Sequence, residues 1–98
     1  MTDSAPAPVS GIVTVRYWAA AKAAAGVDAD ALPVDDGTTL ADLLAELPKR
    51  HPDRPRLADV VAVCSVLIGD RPVGGTDPAE VVLRPGDTVE LLPPFAGG

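Results

Sequence analysis

A chain of 98 residues has room for one small hydrophobic core and not for two, and a core of that size leaves little space for a self-contained active site. Eight basic residues against fourteen acidic ones give a net charge of −6, which argues against a nucleic-acid binder with its basic face and against adsorption to anionic membranes. The single cysteine excludes an internal disulfide and a cysteine-built zinc site, and an apolar content of 47% is too high for a disordered chain.

The N-terminal residues 1–10, rich in Ala, Pro and Ser, read as a flexible leader. They carry neither the positive flank nor the apolar run of a signal peptide. No stretch nears the ~18 apolar residues of a membrane span, so a cytoplasmic location and no membrane partner are expected. Ile12 to Trp18 is β-branched and aromatic and reads as a first strand, with Val13, Val15 and Tyr17 on one face and Thr14 and Arg16 on the other. Ala19 to Ala25 followed by Gly26 reads as a short helix with a glycine cap. Ala29 to Val34 reads as a strand paired back on the first.

Asp35 to Thr39 is a turn leading into a cap. Thr39 fits an N-cap and Asp42 the first turn, and Leu40, Leu43, Leu44 and Leu47 form one apolar stripe at helical spacing. Pro48 predicts that the regular helix stops near Leu47, leaving Lys49 to His51 as a loose turn. Pro52 to Leu57 reads as a polar loop. Val60 to Ile68, nearly all apolar, reads as a strand buried on both faces. Gly69-Asp70 marks a hairpin turn to a short edge, Arg71 to Val73. Gly74 to Pro78 reads as a loop. Arg84-Pro85-Gly86-Asp87 has the residues of a type II turn, and Thr88 to Leu92 alternates as a last strand. The expected fold class is α+β, a mixed sheet with one main helix packed on one face.

Little in this chain has the makings of catalysis. His51 has no nearby partner in sequence and reads as a solvated histidine at a helix end. Cys64 falls inside the apolar run and reads as core filler. Asp35 and Asp36 are explained by turn chemistry, and Gly74-Gly75 has no P-loop lysine or following helix. Lys49, Arg50, Arg54 and Arg56 form the one basic patch, a solvated loop or a docking spot for an acidic partner.

The C-terminal segment is different. The last strand runs directly into Pro93-Pro94-Phe95-Ala96-Gly97-Gly98. The prolines hold a chain extended and remove backbone donors. The two glycines present no Cβ to a narrow channel, so the Gly98 carboxylate is open to attack at its carbon. Phe95, the only phenylalanine, is placed as an apolar anchor for a partner.

The strand and helix order, the acidic balance and the segment Leu91 to Gly98 after the Gly86-Asp87 turn resemble the MoaD proteins, within the MoaD/ThiS group of ubiquitin-like sulfur carriers. The resemblance covers residues 12–98. It implies a β-grasp fold over 11–92 with residues 93–98 as an extended tail. It also implies the role of a molybdopterin synthase small subunit in molybdenum cofactor biosynthesis. In that role a MoeB-type enzyme uses ATP to adenylate the Gly98 carboxylate, and a sulfur donor converts it to a thiocarboxylate. The tail residues Pro93, Pro94, Phe95, Ala96 and Gly97 enter a MoaE-type large subunit in a heterotetramer, and sulfur passes to a pterin precursor. Catalytic side chains are then expected in the large subunit, with no cofactor or metal bound by the carrier. A sulfur carrier for thiamine or cysteine synthesis, a ubiquitin-like modifier joined through Gly98, and a binding module with an inert tail are the other readings.

Overall fold

The computed structural model describes residues 10–94. Eight residues, Ser10–Tyr17, form β1. Its Val13, Val15 and Tyr17 are buried and its Ile12 and Arg16 exposed, the alternation expected of a strand with one covered face. Helix α1, Ala19–Ala25, buries only Ala21 and Ala25. These side chains sit one helical turn apart and are small enough to let the helix lie close to the sheet. It ends at Gly26, whose φ of 78 lets its N–H reach the Lys22 carbonyl at 2.8 Å. The Arg54 guanidinium lies against this glycine, where a Cβ would collide with it.

Strand β2, Ala29–Asp35, returns antiparallel to β1. Helix α2, Leu40–Arg50, opens on a complete capping box. The Asp42 N–H donates to Thr39 Oγ1 at 3.1 Å, and the Thr39 N–H donates to Asp42 Oδ2 at 3.0 Å. Leu40, Leu43 and Leu47 carry its buried stripe. The helix does not stop at Leu47: Pro48 lies inside it. Pro48 forfeits one bond to the Leu44 carbonyl, but the last turn is held from outside, because Arg50 Nη2 donates to the Ala31 carbonyl at 3.2 Å and His51 contacts Asp30. Lys49 and Arg50 also suit the negative end of the helix dipole.

The apolar run after residue 60 is not one strand. Leu57–Val63 is a third helix, α3, and only Ser65–Ile68 is strand β3. Leu57 and Val61 are buried while Val63 is 61% exposed, so the burial follows a helical stripe rather than two covered strand faces. Strand β4, Arg71–Pro72, is the short edge expected after the turn at Gly69, whose φ is 64. Pro78–Glu80, which starts at the end of the expected loop Gly74 to Pro78, is a single 3-10 turn capped by the Asp77 carboxylate. Arg84 to Asp87 forms the expected turn, with the Asp87 N–H on the Arg84 carbonyl at 3.0 Å and Gly86 at φ 92. It delivers β5, Thr88–Leu92.

The five strands make one mixed sheet in the order β2-β1-β5-β3-β4. β1 and β5 pair in parallel at its centre; the other pairings are antiparallel. Inward side chains of the sheet, the three helices and Leu83 share one apolar core. Among the described residues no helix is long and apolar enough to cross a membrane.

Candidate functional site at the end of the central strands

The parallel register Val15↔Val89, Arg16↔Glu90, Tyr17↔Leu91 brings the C-terminal ends of β1 and β5 to the same end of the sheet. Whatever follows β5 therefore leaves beside the β1–α1 corner. The Trp18 N–H ties that corner to the Leu91 carbonyl at 3.2 Å. Pro93 is half-buried and Pro94 exposed, consistent with a stiff exit from the sheet. The expected site residues Phe95, Ala96, Gly97 and Gly98 lie outside the described residues, as do residues 1–9 of the expected leader.

On the open face of the sheet, Trp18 continues the row of Ile12, Thr14 and Arg16. Its indole is 41% exposed and Ile12 is 50% exposed. The Trp18 Nε1–H donates to Glu90 Oε1 at 2.9 Å, and the Arg16 guanidinium lies 4.8 Å from the ring centroid, a cation–π contact. The indole is thus ordered, with its polar edge satisfied and apolar surface left to solvent, directly beside the root of the tail.

On the covered face of the same end stands a polar cluster that sequence reasoning missed. Tyr17 Oη donates to Asp30 Oδ2 at 2.8 Å, and His51 Nε2 lies 2.6 Å from the same oxygen. The side chains of His51 and Asp30 are only 14% and 16% exposed, and the Tyr17 and His51 rings meet edge to face at 6.4 Å. His51 does end α2, as expected, but it is not solvated: the corner between β2 and α2 covers it. Burial, the hydrogen bond to Asp30 and its negative charge push the Tyr17 phenol far above its ordinary range, with Arg50 pulling weakly the other way. The residues come from three elements and lie 13 and 21 positions apart, so no local motif could have shown them together.

Cys64 is half-buried at the end of α3, not in mid-strand, and its Sγ donates to the Val60 carbonyl at 3.2 Å. Burial pushes its thiol up, which disfavours the nucleophilic thiolate. The basic patch is largely occupied: Arg50 holds the Ala31 carbonyl, Arg54 lies on Gly26 and Lys49 is 3.7 Å from Glu46. An open groove of about 750 Å³ runs between α2, α3 and the segment after β4. It is lined mainly by apolar residues, and its one carboxylate, Asp77, is engaged by the Ala79 N–H. No group of acids, histidines and cysteine among the described residues could hold a metal ion.

The ThiS family model matches residues 15–98, a span that runs from the C-terminal end of β1 through β5 and the whole tail. The chain belongs to the ThiS family. Over 86 residues it is 31% identical to the molybdopterin synthase sulfur carrier subunit of Chlamydomonas reinhardtii, covering 88% of this chain and 98% of that one. Among solved structures, this ThiS-family chain resembles the complex of subunits 1 and 2 of the molybdopterin-converting factor from Helicobacter pylori. There the TM-score is 0.61 at 25% identity, over 89% of this chain and 99% of that one. It also matches small archaeal modifier protein SAMP1 from Haloferax volcanii with TM-score 0.74 at 23% identity, over 90% of this chain and 100% of that one. The fold is therefore the ubiquitin-like β-grasp that the family resemblance implied.

Proposed function

We propose that this chain is a sulfur carrier, the small subunit of a molybdopterin synthase. The observation that carries the reading is a family match that runs through Gly98, on a chain whose last strand leaves the centre of the sheet into Pro93-Pro94. The described residues supply no assembled nucleophile or metal cluster to compete with that terminus.

A free carboxylate is a poor electrophile, because oxide would have to leave. In the proposed cycle an oxygen of the Gly98 carboxylate attacks the α-phosphorus of ATP on an adenylating enzyme, and pyrophosphate leaves. Hydrosulfide supplied by a sulfur donor then adds to the acyl carbon and AMP leaves. The product is a thiocarboxylate, a soft anionic nucleophile that requires no cysteine of this chain. Inside a larger subunit the sulfur attacks an electrophilic carbon of a pterin precursor and displaces an oxygen leaving group; water then adds at the acyl carbon, the acyl C–S bond breaks, and the carboxylate is restored with the sulfur left on the precursor. This chain's contribution is presentation: β5 aims the tail, Pro93 and Pro94 stiffen it, Phe95 anchors it, and Ala96 and Gly97 let it pass a narrow channel. The exposed indole of Trp18, beside the tail root, and the Ile12 side chain, at the other end of the same open face, offer apolar surface for the same large subunit.

Incubation with a MoeB-type enzyme, ATP and a sulfur donor is expected to change the intact mass by one oxygen-to-sulfur exchange, and deletion of Gly98 to prevent the change without unfolding the domain. No exchange, with an enzyme shown to be active on another carrier, overturns the reading. Higher-mass conjugates instead would assign a protein modifier. Capture of a thiamine- or cysteine-pathway enzyme in place of a MoaE-type subunit would move the carrier to another pathway.

A further inference from the structure

The Tyr17–Asp30–His51 cluster takes no part in the chemistry proposed for Gly98, yet it occupies the same end of the sheet. We infer that it is a latch that fixes the direction in which the tail leaves, making Tyr17, Asp30 and His51 positioning residues for the activation of Gly98. The inference rests on the carrier reading above.

The contacts form a continuous line. His51 caps the end of α2, Asp30 sits on edge strand β2, and Tyr17 is the last residue of β1. One carboxylate oxygen, Asp30 Oδ2, receives both Tyr17 and His51. Tyr17 is the register partner of Leu91, and the next residue, Trp18, donates its N–H to the Leu91 carbonyl. The end of α2 is thereby coupled, through three side chains, to the strand position two residues before Pro93.

Packing alone does not require these groups. Tyr17 is 3% exposed among aliphatic neighbours, a position where phenylalanine would fill nearly the same volume with no polar group to satisfy. A buried polar network contributes directional bonds rather than area. The backbone at the same corner is also strained: Ala19, directly after Trp18, has φ 49, the only positive φ among the described non-glycine residues. A left-handed alanine persists only where its surroundings over-determine it. The abrupt β1–α1 corner is held by the Leu91 bond on one side and the latch on the other.

A reason for such rigidity lies in the length of the tail. Six residues beyond Leu92 span at most about 20 Å when extended. The direction set at Pro93 is where delivery of the reacting carboxylate starts, and a misplacement of about 1 Å can cost a reaction on the order of a hundredfold.

The test measures ATP-dependent adenylation of the intact chain by a MoeB-type enzyme, with Trp18, the single tryptophan, as a second reporter. For His51→Ala and Asp30→Asn, kcat is expected to fall about tenfold with KM within about twofold of wild type. His51→Gln, which keeps an N–H donor, is expected to recover most of the loss. Val61→Ala, a destabilising core change on α3, is expected to lower thermal stability without lowering kcat. Trp18 emission is expected to shift in His51→Ala and not in Val61→Ala. Wild-type kcat in both latch variants, or an equal loss in Val61→Ala, overturns the latch while leaving the carrier reading intact. If the wild-type chain is itself not adenylated, the carrier reading falls, and unchanged Trp18 emission in His51→Ala overturns the latch independently.

Discussion

Tyr17 is the one tyrosine of the chain, and its phenol spends its only donor on Asp30. Burial of the charged form is the main reason its pKa is raised, and ionising it would also lose that bond and set two anions against each other in a covered corner. Above the ordinary phenol value of about 10, the unfolded chain gives up a proton that the folded chain keeps. The unfolded state then binds fewer protons, so stability falls as pH rises, by at most about 1.4 kcal/mol per pH unit from this group. Denaturant midpoints of wild type and Tyr17→Phe, compared from about pH 9 to 11, are expected to diverge, with the phenylalanine variant lacking the alkaline loss. Parallel curves would show that the phenol ionises freely. None of this was legible from the sequence. The alternation of Val13, Val15 and Tyr17 correctly turned the ring inward, but the partner of its hydroxyl and the burial of His51 depend on how β2 and α2 cross, which no local pattern records.

At the scale of elements, local chemistry determined what could be read. Helix α2 announces itself twice, by the Thr39–Asp42 box and by its leucine stripe, and both are present in the fold. Thr39→Ala is expected to cost about 1 kcal/mol and Thr39→Ser very little; thermal or denaturant unfolding of the two variants measures this directly, and equal stability of the alanine variant would mean that the helix start is held by the Leu40 N–H to Val81 carbonyl bond alone. Gly26 and the Pro85-Gly86 pair were equally legible, since a left-handed φ leaves few other residue choices. The stretch from Leu57 to Ile68 was not. A continuous apolar run carries no period, and whether it winds or extends is decided by what it covers. Leu57 and Val61 turn to the core as a helix, and extension begins only at Ser65, where β5 offers an edge to pair with. Pro48 misled for a related reason: the local penalty is real, and tertiary bonds from Arg50 and His51 hold the turn it weakens.

For the whole molecule, the sheet divides the labour. Its covered face buries α1, α2 and α3 and spends nearly all the large aliphatic side chains of a small chain. Its other face keeps Ile12 and Trp18 in solvent, although apolar surface is scarce here and the indole would gain by burial. Arg16 and Glu90 hold the ring in one place, so docking a partner on it orders little that is not already ordered. The tail leaves from the same end, so a subunit that swallows Gly98 must also approach this face. Trp18→Ala is therefore expected to weaken affinity for a MoaE-type subunit by at least about tenfold, roughly 1.4 kcal/mol. Because the indole is exposed, the unfolding temperature should stay close to that of wild type. Titration calorimetry of both chains against the same subunit reads the effect. Val63→Ala serves as the control, since Val63 is exposed on α3, away from the open face of the sheet; its affinity should be that of wild type. Equal losses in the two variants would point to a general effect of apolar area, and no loss in either would place the binding energy in the tail beyond Pro94.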